Sequence, residues 1–594
     1  MTGQQSKITI LAQQGLDLHQ HGKLNDAQNI YEKILSIQED NFDALQLLGA
    51  LFAQVKKYPQ AIKFLSKAII VDPNHAGCFS NLGISFQKLR RLEEALSSYD
   101  KAISLQADYA EAYSNRGAVL QELKRFDEAL SSYDKAISIK GDYAEAFNSR
   151  GTVLEELKCL EEALSSYHKA ISINKDFTES YYNRGNVLHK LKRLEEALSS
   201  YDKSISLHED YAEAYSNRGL VLQDLKRLEE ALSSYDKAIS LHEDYAEAYS
   251  NRGTVLEELK RLDEALSSYE KAISINKDYA EAYWNSSICY LLAGNFNEGW
   301  ARYEWRWQSK SISKTAGIRK FSQPLWLGTE VLKDQTIFLY AEQGLGDTIQ
   351  FSRYVSLVAG LGAKVVLEVQ PSLVKLLSYL EGISQIISKG DKLPNFDYQC
   401  PLMSLPLAFK TELKTIPSVS KNISTDEKKV EKWQAILGEK TKPRVGIVWS
   451  GSATHKNDHQ RSLTLSKLIT HLPLDYEYVS LQKEISDVDK EVLIECCKIK
   501  HFGDDLKDFT DTAALCELID IVISVDTSVA HLAGTLGKNT WVLLPYSPDW
   551  RWLLDRNDSP WYSSVKLYRQ EKINDWESAL VNIESDLKKL LNGN

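Results

Sequence analysis

A chain of 594 residues is too long for one hydrophobic core, so two to four domains are expected. Its 71 Lys and Arg against 82 Asp and Glu leave a net charge of −11, which argues against a nucleic-acid binder, since such proteins carry a basic surface. There is no apolar run of the roughly 18 residues a membrane span needs, and the opening "MTGQQSKITILAQQG" lacks the basic and apolar regions of a signal peptide. The seven cysteines are scattered and show neither zinc spacing nor a disulfide framework, so a reducing cytoplasm and no structural metal are expected.

The first half repeats. Gly15, Gly49, Gly83, Gly117, Gly151, Gly185, Gly219 and Gly253 recur every 34 residues. Alanines stand twelve residues after each, from Ala27 to Ala265, and an aromatic usually follows four later, as at Tyr99, Tyr133 and Tyr167. The pattern resembles the tetratricopeptide repeat, a helical hairpin whose small residues let its helices approach closely. One hairpin cannot bury its apolar face, but a stack of them does. Eight copies run from about residue 8 to 279. A ninth has Ser287 in place of the glycine and continues through "GNFNEGWARYEWRW". The α-solenoid is assigned to residues 1–308.

Asparagine precedes the small position by two residues at Asn81, Asn115, Asn183, Asn217, Asn251 and Asn285. An amide carries a donor and an acceptor and can pair with the backbone of an extended polypeptide. Stacking would line these amides along one inner face, a row that resembles the asparagine ladder of the nucleocytoplasmic O-GlcNAc transferase. The central copies are nearly identical, so the recurrence inside them counts as one observation. The arginines that follow (Arg116, Arg150, Arg184, Arg218, Arg252) are expected to form ion pairs with nearby glutamates.

The period stops after "RYEWRW". Residues 309–335 read as a linker. Short β-branched runs then alternate with helical stretches: "TIFLY" (336–340), "KVVLEV" (364–369), "RVGIVW" (444–449), "EYVSL" (477–481), "IVISV" (521–525) and "WVLLP" (541–545). Buried strands between helices imply parallel α/β sheets. They fall into a lobe at 336–425 and another at 426–594 with a closing C-terminal helix, a paired-Rossmann architecture whose ligands bind at the carboxyl ends of the strands. Four strand-end loops are expected to converge there: "AEQGLGDTIQF", "SGSATHKNDHQRS" (450–462), "QKE" with Gln482 and Lys483, and "VDTSVAHLAG" (525–534). Ser524, Asp526, Thr527 and Ser528 at a helix start make an anion site suited to a diphosphate, with His531 one turn on and the cations Lys456 and Arg461 nearby. Gly344 and Gly346 permit a tight turn that presents Asp347 at a helix start. "GLGD" lacks the third glycine of a dinucleotide fingerprint, which disfavours a dehydrogenase.

"GLGDTIQFSRYV" and "SVDTSVAHLAGTLGKNTWVLLPYSPDWRW" resemble the two signatures of the heptosyltransferase-like, family-nine glycosyltransferases of GT-B fold. The resemblance covers roughly residues 320–570. It implies that Asp347 is the general base on the acceptor hydroxyl, that Asp526, Thr527 and His531 hold a nucleotide-sugar, and that Lys456 or Arg461 steadies its phosphates. Ser528 stands where the family often has glycine. Repeats fused to such a domain resemble bacterial glycosyltransferases, some of which modify flagellin or other proteins. The expected activity is inverting sugar transfer without a cofactor or metal, no second carboxylate lying beside Asp347, to a protein hydroxyl selected by the repeat groove. A glycan or lipid-linked acceptor, or a non-catalytic repeat scaffold, are the alternatives. The aromatic segment 546–562 either lines the donor pocket or staples the lobes.

Overall fold

The computed structural model of the chain describes residues 3–309, 319–418, 423–452, 458–496 and 498–591. Two compact units emerge, Met1–Glu243 and Asp244–Asn594.

The first unit is helical throughout its described residues, from Gly3–Gln20 to Leu228–Leu241, and consecutive helices pair as antiparallel hairpins. The helix Leu92–Leu105 shows why. Ala95, Leu96, Tyr99 and Ala102 recur at helical spacing and are buried, while Glu93 and Glu94 occupy the first turn, where the helix dipole favours them. The turn inside each hairpin holds one residue in the left-handed region, at Gly22, Lys56, Arg90, Lys124, Lys158, Lys192 and Lys226, each 34 residues from the last.

The repeat glycine makes room for something other than the facing backbone. A Cβ on Gly83 would stand 2.7 Å from the Tyr99 ring, and one on Gly151 2.6 Å from Tyr167; at Gly49 the neighbour is Leu65. The close approach is therefore glycine to a buried side chain 16 residues on. The arginine partners also differ from expectation. Arg116, Arg150 and Arg218 donate at 2.6 Å to Asp100, Asp134 and Asp202, not to glutamates, and at 2.7 Å to Ser132, Ser166 and Ser234. Where His168 replaces the aspartate, Arg184 keeps the serine partner, Ser200, at 3.0 Å.

The second unit begins with two more hairpins, Ala246–Glu258 with Leu262–Ile275 and Ala280–Leu292 with Phe296–Tyr303, followed by a 3-10 turn, Glu304–Trp307. Two all-parallel sheets follow. The first holds β1 (Thr336–Tyr340), β2 (Lys364–Val369), β3 (Ile383–Ser388) and β4 (Tyr398–Pro401) in the order β3-β2-β1-β4. The second holds β5 (Arg444–Val448), β6 (Glu477–Ser480), β7 (Ile499–His501), β8 (Ile521–Val525), β9 (Thr540–Leu544) and β10 (Val565–Arg569) in the order β10-β9-β8-β5-β6-β7. That is the doubly wound order, whose direction reverses between β5 and β8.

One core runs through the last hairpin and both lobes. Phe296, Trp300 and Tyr303 share it with Phe351, Trp550 and Trp561. The Trp300 ring meets Trp550 edge-on at 5.2 Å, and its Nε1 donates to Thr411 O at 3.1 Å. Of the stretch read as a linker, 319–335 is described and carries buried side chains: Trp326 and Leu332 lie in the core, and Trp326 N donates to Gln399 O at 2.9 Å beside β4. Among the described residues no helix is long and apolar enough to cross a membrane.

Candidate functional site

A cavity of about 700 Å³ lies at the carboxyl ends of the strands of both sheets. Its wall takes Gln343–Asp347 from beyond β1 and Ser450–Ser452 from beyond β5. Gln482 and Lys483 come from beyond β6, Asp526–Val529 and His531 from beyond β8, and Asp549 and Arg551 from beyond β9. The four strand-end loops singled out in the sequence thus meet, and the β5/β8 reversal lies at the cleft, where ligands of such sheets bind.

Gly344 is the N-cap of the helix Leu345–Phe351, and Asp347 closes the turn by accepting from Gly344 N at 2.8 Å. Its other oxygen is held by Arg551 Nη2. Arg551 also donates from Nη1 to Asp549 Oδ1 at 2.7 Å and from Nε to Gln350 Oε1 at 2.8 Å. A second carboxylate does stand near Asp347, across the shared guanidinium. Gly346 serves lobe contact: a Cβ there would lie 2.8 Å from His531 Cδ2.

On the facing lobe, Thr527 caps the helix Ser528–Thr535 through its backbone. Ser524 is fully buried beneath the wall, bonded to Val525 O at 2.6 Å and Thr527 Oγ1 at 3.0 Å. His531 is buried, stacked on Trp552 at 5.4 Å, with Nδ1 3.0 Å from Tyr562 Oη and Nε2 3.8 Å from Asp526 Oδ1. Burial first, then the charges of Arg551, Arg353 and Arg461, hold its pKa well below the ordinary value, so the ring is neutral. Burial, aided by the Asp549 charge, pushes the Asp526 carboxyl up to about 6. Arg461 Nη1 donates to Asp526 O at 3.1 Å, and its Nε to Asp458 Oδ1 at 3.2 Å. Gln482 folds back onto the β5 end, donating to Ser450 O at 2.9 Å. Lys456 lies outside the described residues. Among the described residues no cluster of three or more His, Cys, Asp or Glu is arranged to hold a metal ion.

Arg551, Asp549 and Gly451 lie in stretches the sequence marks, but none stands out there as a site residue. A Cβ on Gly451 would fall 2.4 Å from Asp458 Oδ1 and 2.6 Å from Arg461 Nη2, so a side chain there would push on the ends of this ion pair. Within the aromatic segment Asp549 and Arg551 line the cavity, while Trp550, Trp552, Trp561 and Tyr562 are core.

Where β1 and β4 part, at the reversal of the first sheet, stands a fully buried arginine from the 3-10 turn. Arg306 donates to Glu304 at 2.6 Å, to Glu342 at 3.2 Å and to Ser404 at 2.7 Å. Burial pushes the Glu342 carboxyl up to about 7 against the pull of Arg306. The neighbouring Gln343, on the cavity wall, donates to Tyr303 Oη at 2.9 Å. The last repeat is thus a structural part of the first lobe.

The asparagines all lie half-buried on the first helix of their hairpins. Asn183 donates to Asn148 at 3.2 Å and Asn217 to Asn186 at 2.9 Å and Tyr182 Oη at 3.0 Å; in the second unit Asn285 reaches Thr254 at 3.5 Å. Part of each of these amides' bonding capacity is therefore used between neighbouring helices.

Family models for the tetratricopeptide repeat match residues 76–141 and 210–278, a second TPR model matches 159–192 and 185–226, and the model of anaphase-promoting complex, cyclosome, subunit 3 matches 20–102. The repeats are therefore tetratricopeptide repeats, an interaction scaffold by architecture. Protein FlbA of Caulobacter vibrioides is 25% identical over 333 residues, 50% of this chain and 53% of FlbA, so the chain spans about half the length of this curated relative. Among solved structures, YrrB, titled a TPR protein with an unusual peptide-binding site, is 30% identical over 31% of this chain and 95% of its own, with a TM-score of 0.28. Pseudomonas aeruginosa PilF is 22% identical over 35% of this chain and 94% of its own, with a TM-score of 0.33. All three family models fall on the repeats.

Proposed function

We propose that the chain is an inverting, nucleotide-sugar-dependent glycosyltransferase of GT-B type whose repeats select a polypeptide acceptor. The observation that carries this reading is the meeting of two motifs in one cleft: the Gly344–Asp347 turn on one lobe and Asp526, Thr527, Ser528 and His531 on the other. Asp347 accepts the proton of the acceptor hydroxyl. The freed oxygen bonds to the anomeric carbon, and the carbon–oxygen bond to the diphosphate breaks with its electron pair leaving on the phosphate. The backbone N–H groups at the start of Ser528–Thr535 and the cation Arg461 face that developing charge. The amide row supplies donors and acceptors for an extended polypeptide.

The direct test is incubation of the full chain with a panel of radiolabelled nucleotide-sugars and a lysate from cells lacking the protein, followed by mass spectrometry of the labelled product. A folded Asp347→Ala variant is expected to lose about 10²–10⁴-fold in transfer. Full activity in that variant rejects the base. No transfer from any donor, with no nucleoside diphosphate raising the melting temperature, leaves the scaffold.

A further inference from the structure

Arg551 is the most deeply buried of the described cations on the cavity wall. Its side chain is 8% exposed against 20% for Arg461, while Lys483 projects into solvent. The guanidinium answers to two carboxylates of unequal standing. Asp549 is local: it caps the 3-10 turn Trp550–Trp552, accepting from Arg551 N at 3.0 Å as well as from Nη1. Asp347 comes from the other lobe and has an independent donor in Gly344 N. Gln350 fixes Nε, and the Trp550 ring lies 4.2 Å from the guanidinium carbon, so the group is anchored on three sides without Asp347.

We infer that Arg551 is a further cation that receives the donor's diphosphate, through the same Nη2 that pairs with Asp347. This rests on the transferase reading and names a residue that reading did not assign. The donor's diphosphate brings two negative charges against the single charge of the carboxylate and wins the shared donor. Nη1 and Nε keep their partners, so the guanidinium barely moves. Asp347 keeps Gly344 N, and its other oxygen, released from Nη2, is free to accept from the acceptor hydroxyl. Donor binding therefore arms the base. Asp347 then takes the acceptor's proton, and the electron pair of the broken carbon–oxygen bond ends on the phosphate that Arg551 holds.

The test is calorimetric titration of the full chain with uridine, guanosine, adenosine and thymidine diphosphates, for wild type, Asp347→Asn and Arg551→Lys. Asparagine keeps the shape of Asp347 and removes its claim on Nη2. It is expected to tighten the nucleoside diphosphate about three- to tenfold, and lysine, which keeps charge but loses the fork, to weaken it about thirtyfold or more. Asp347→Asn affinity equal to or below wild type overturns the exchange, whatever Arg551→Lys does. Arg551→Lys binding within about twofold of wild type overturns the phosphate contact. Either result with wild-type binding intact leaves the transferase reading standing; no binding of any nucleoside diphosphate by all three proteins fells both.

Discussion

Gly346 and His531 face each other across the cleft so closely that a Cβ on the glycine would stand 2.8 Å from the imidazole Cδ2. Alanine is the better helix former by about 1 kcal/mol. The imidazole has nowhere to go, being stacked on Trp552 and bonded to Tyr562. The clash wins: Gly346→Ala is expected to destabilise the second unit by a net of up to about 2 kcal/mol, since overpacking costs typically 1–3. Comparing its urea midpoint with wild type checks this, and an unchanged or raised midpoint shows that the lobes yield.

Arg306 pairs with the buried Glu342 and the partly buried Glu304. Arg306→Ala strands them, and breaking such a pair costs about 3–5 kcal/mol. Adding Glu342→Gln to that variant should restore part of the loss, because the remaining site holds one fewer uncompensated charge. Denaturant titration of wild type, single and double variants gives the sign of the coupling.

The unit boundary predicts which truncations fold. Removing residues 1–243 leaves the second unit's core whole. Removing 1–300 strips out Phe296 and Trp300, and deleting one buried tryptophan side chain alone costs about 3–5 kcal/mol. The 244–594 fragment is expected to be soluble with a cooperative melt, and the 301–594 fragment to aggregate. Equal behaviour of the two fragments contradicts the shared core.

Asp526 gives the second unit a pH signature. Its carboxyl sits at about 6 in the fold, above the ordinary 3.8 that it returns to on unfolding. Between those values the folded state binds more protons, so this group's contribution to stability is present below about 4 and is lost as pH rises through about 6. The full swing is of order 3 kcal/mol at most. Asp526→Asn should flatten the decline between those pH values, seen as a melting-temperature difference from wild type that grows with pH.

Much of this was legible in the sequence, and what was missed has a pattern. Every central strand announced itself as a short run rich in β-branched, leucine or aromatic residues. The four unread strands, β3, β4, β7 and β10, are the four sheet edges. An edge strand is covered on fewer sides and shows no such run: β3 reads "ISQIIS" with exposed Ser384 and Gln385, and β4 tolerates Pro401. The cleft loops were readable because glycines and hydroxyls cluster there. Arg551 was not, because its neighbours Trp550 and Trp552 advertise a core, and nothing local reveals that its partner Asp347 lies 204 residues away.

The glycine–tyrosine fit in the central hairpins closes within one 34-residue period, as between Gly83 and Tyr99 or Gly151 and Tyr167. A whole period can be excised or duplicated in the central copies without leaving any ring unseated or any glycine crowded. The array is thus a ruler graduated in repeats. Its number of repeats is a heritable quantity that recombination between near-identical copies can raise or lower in single steps.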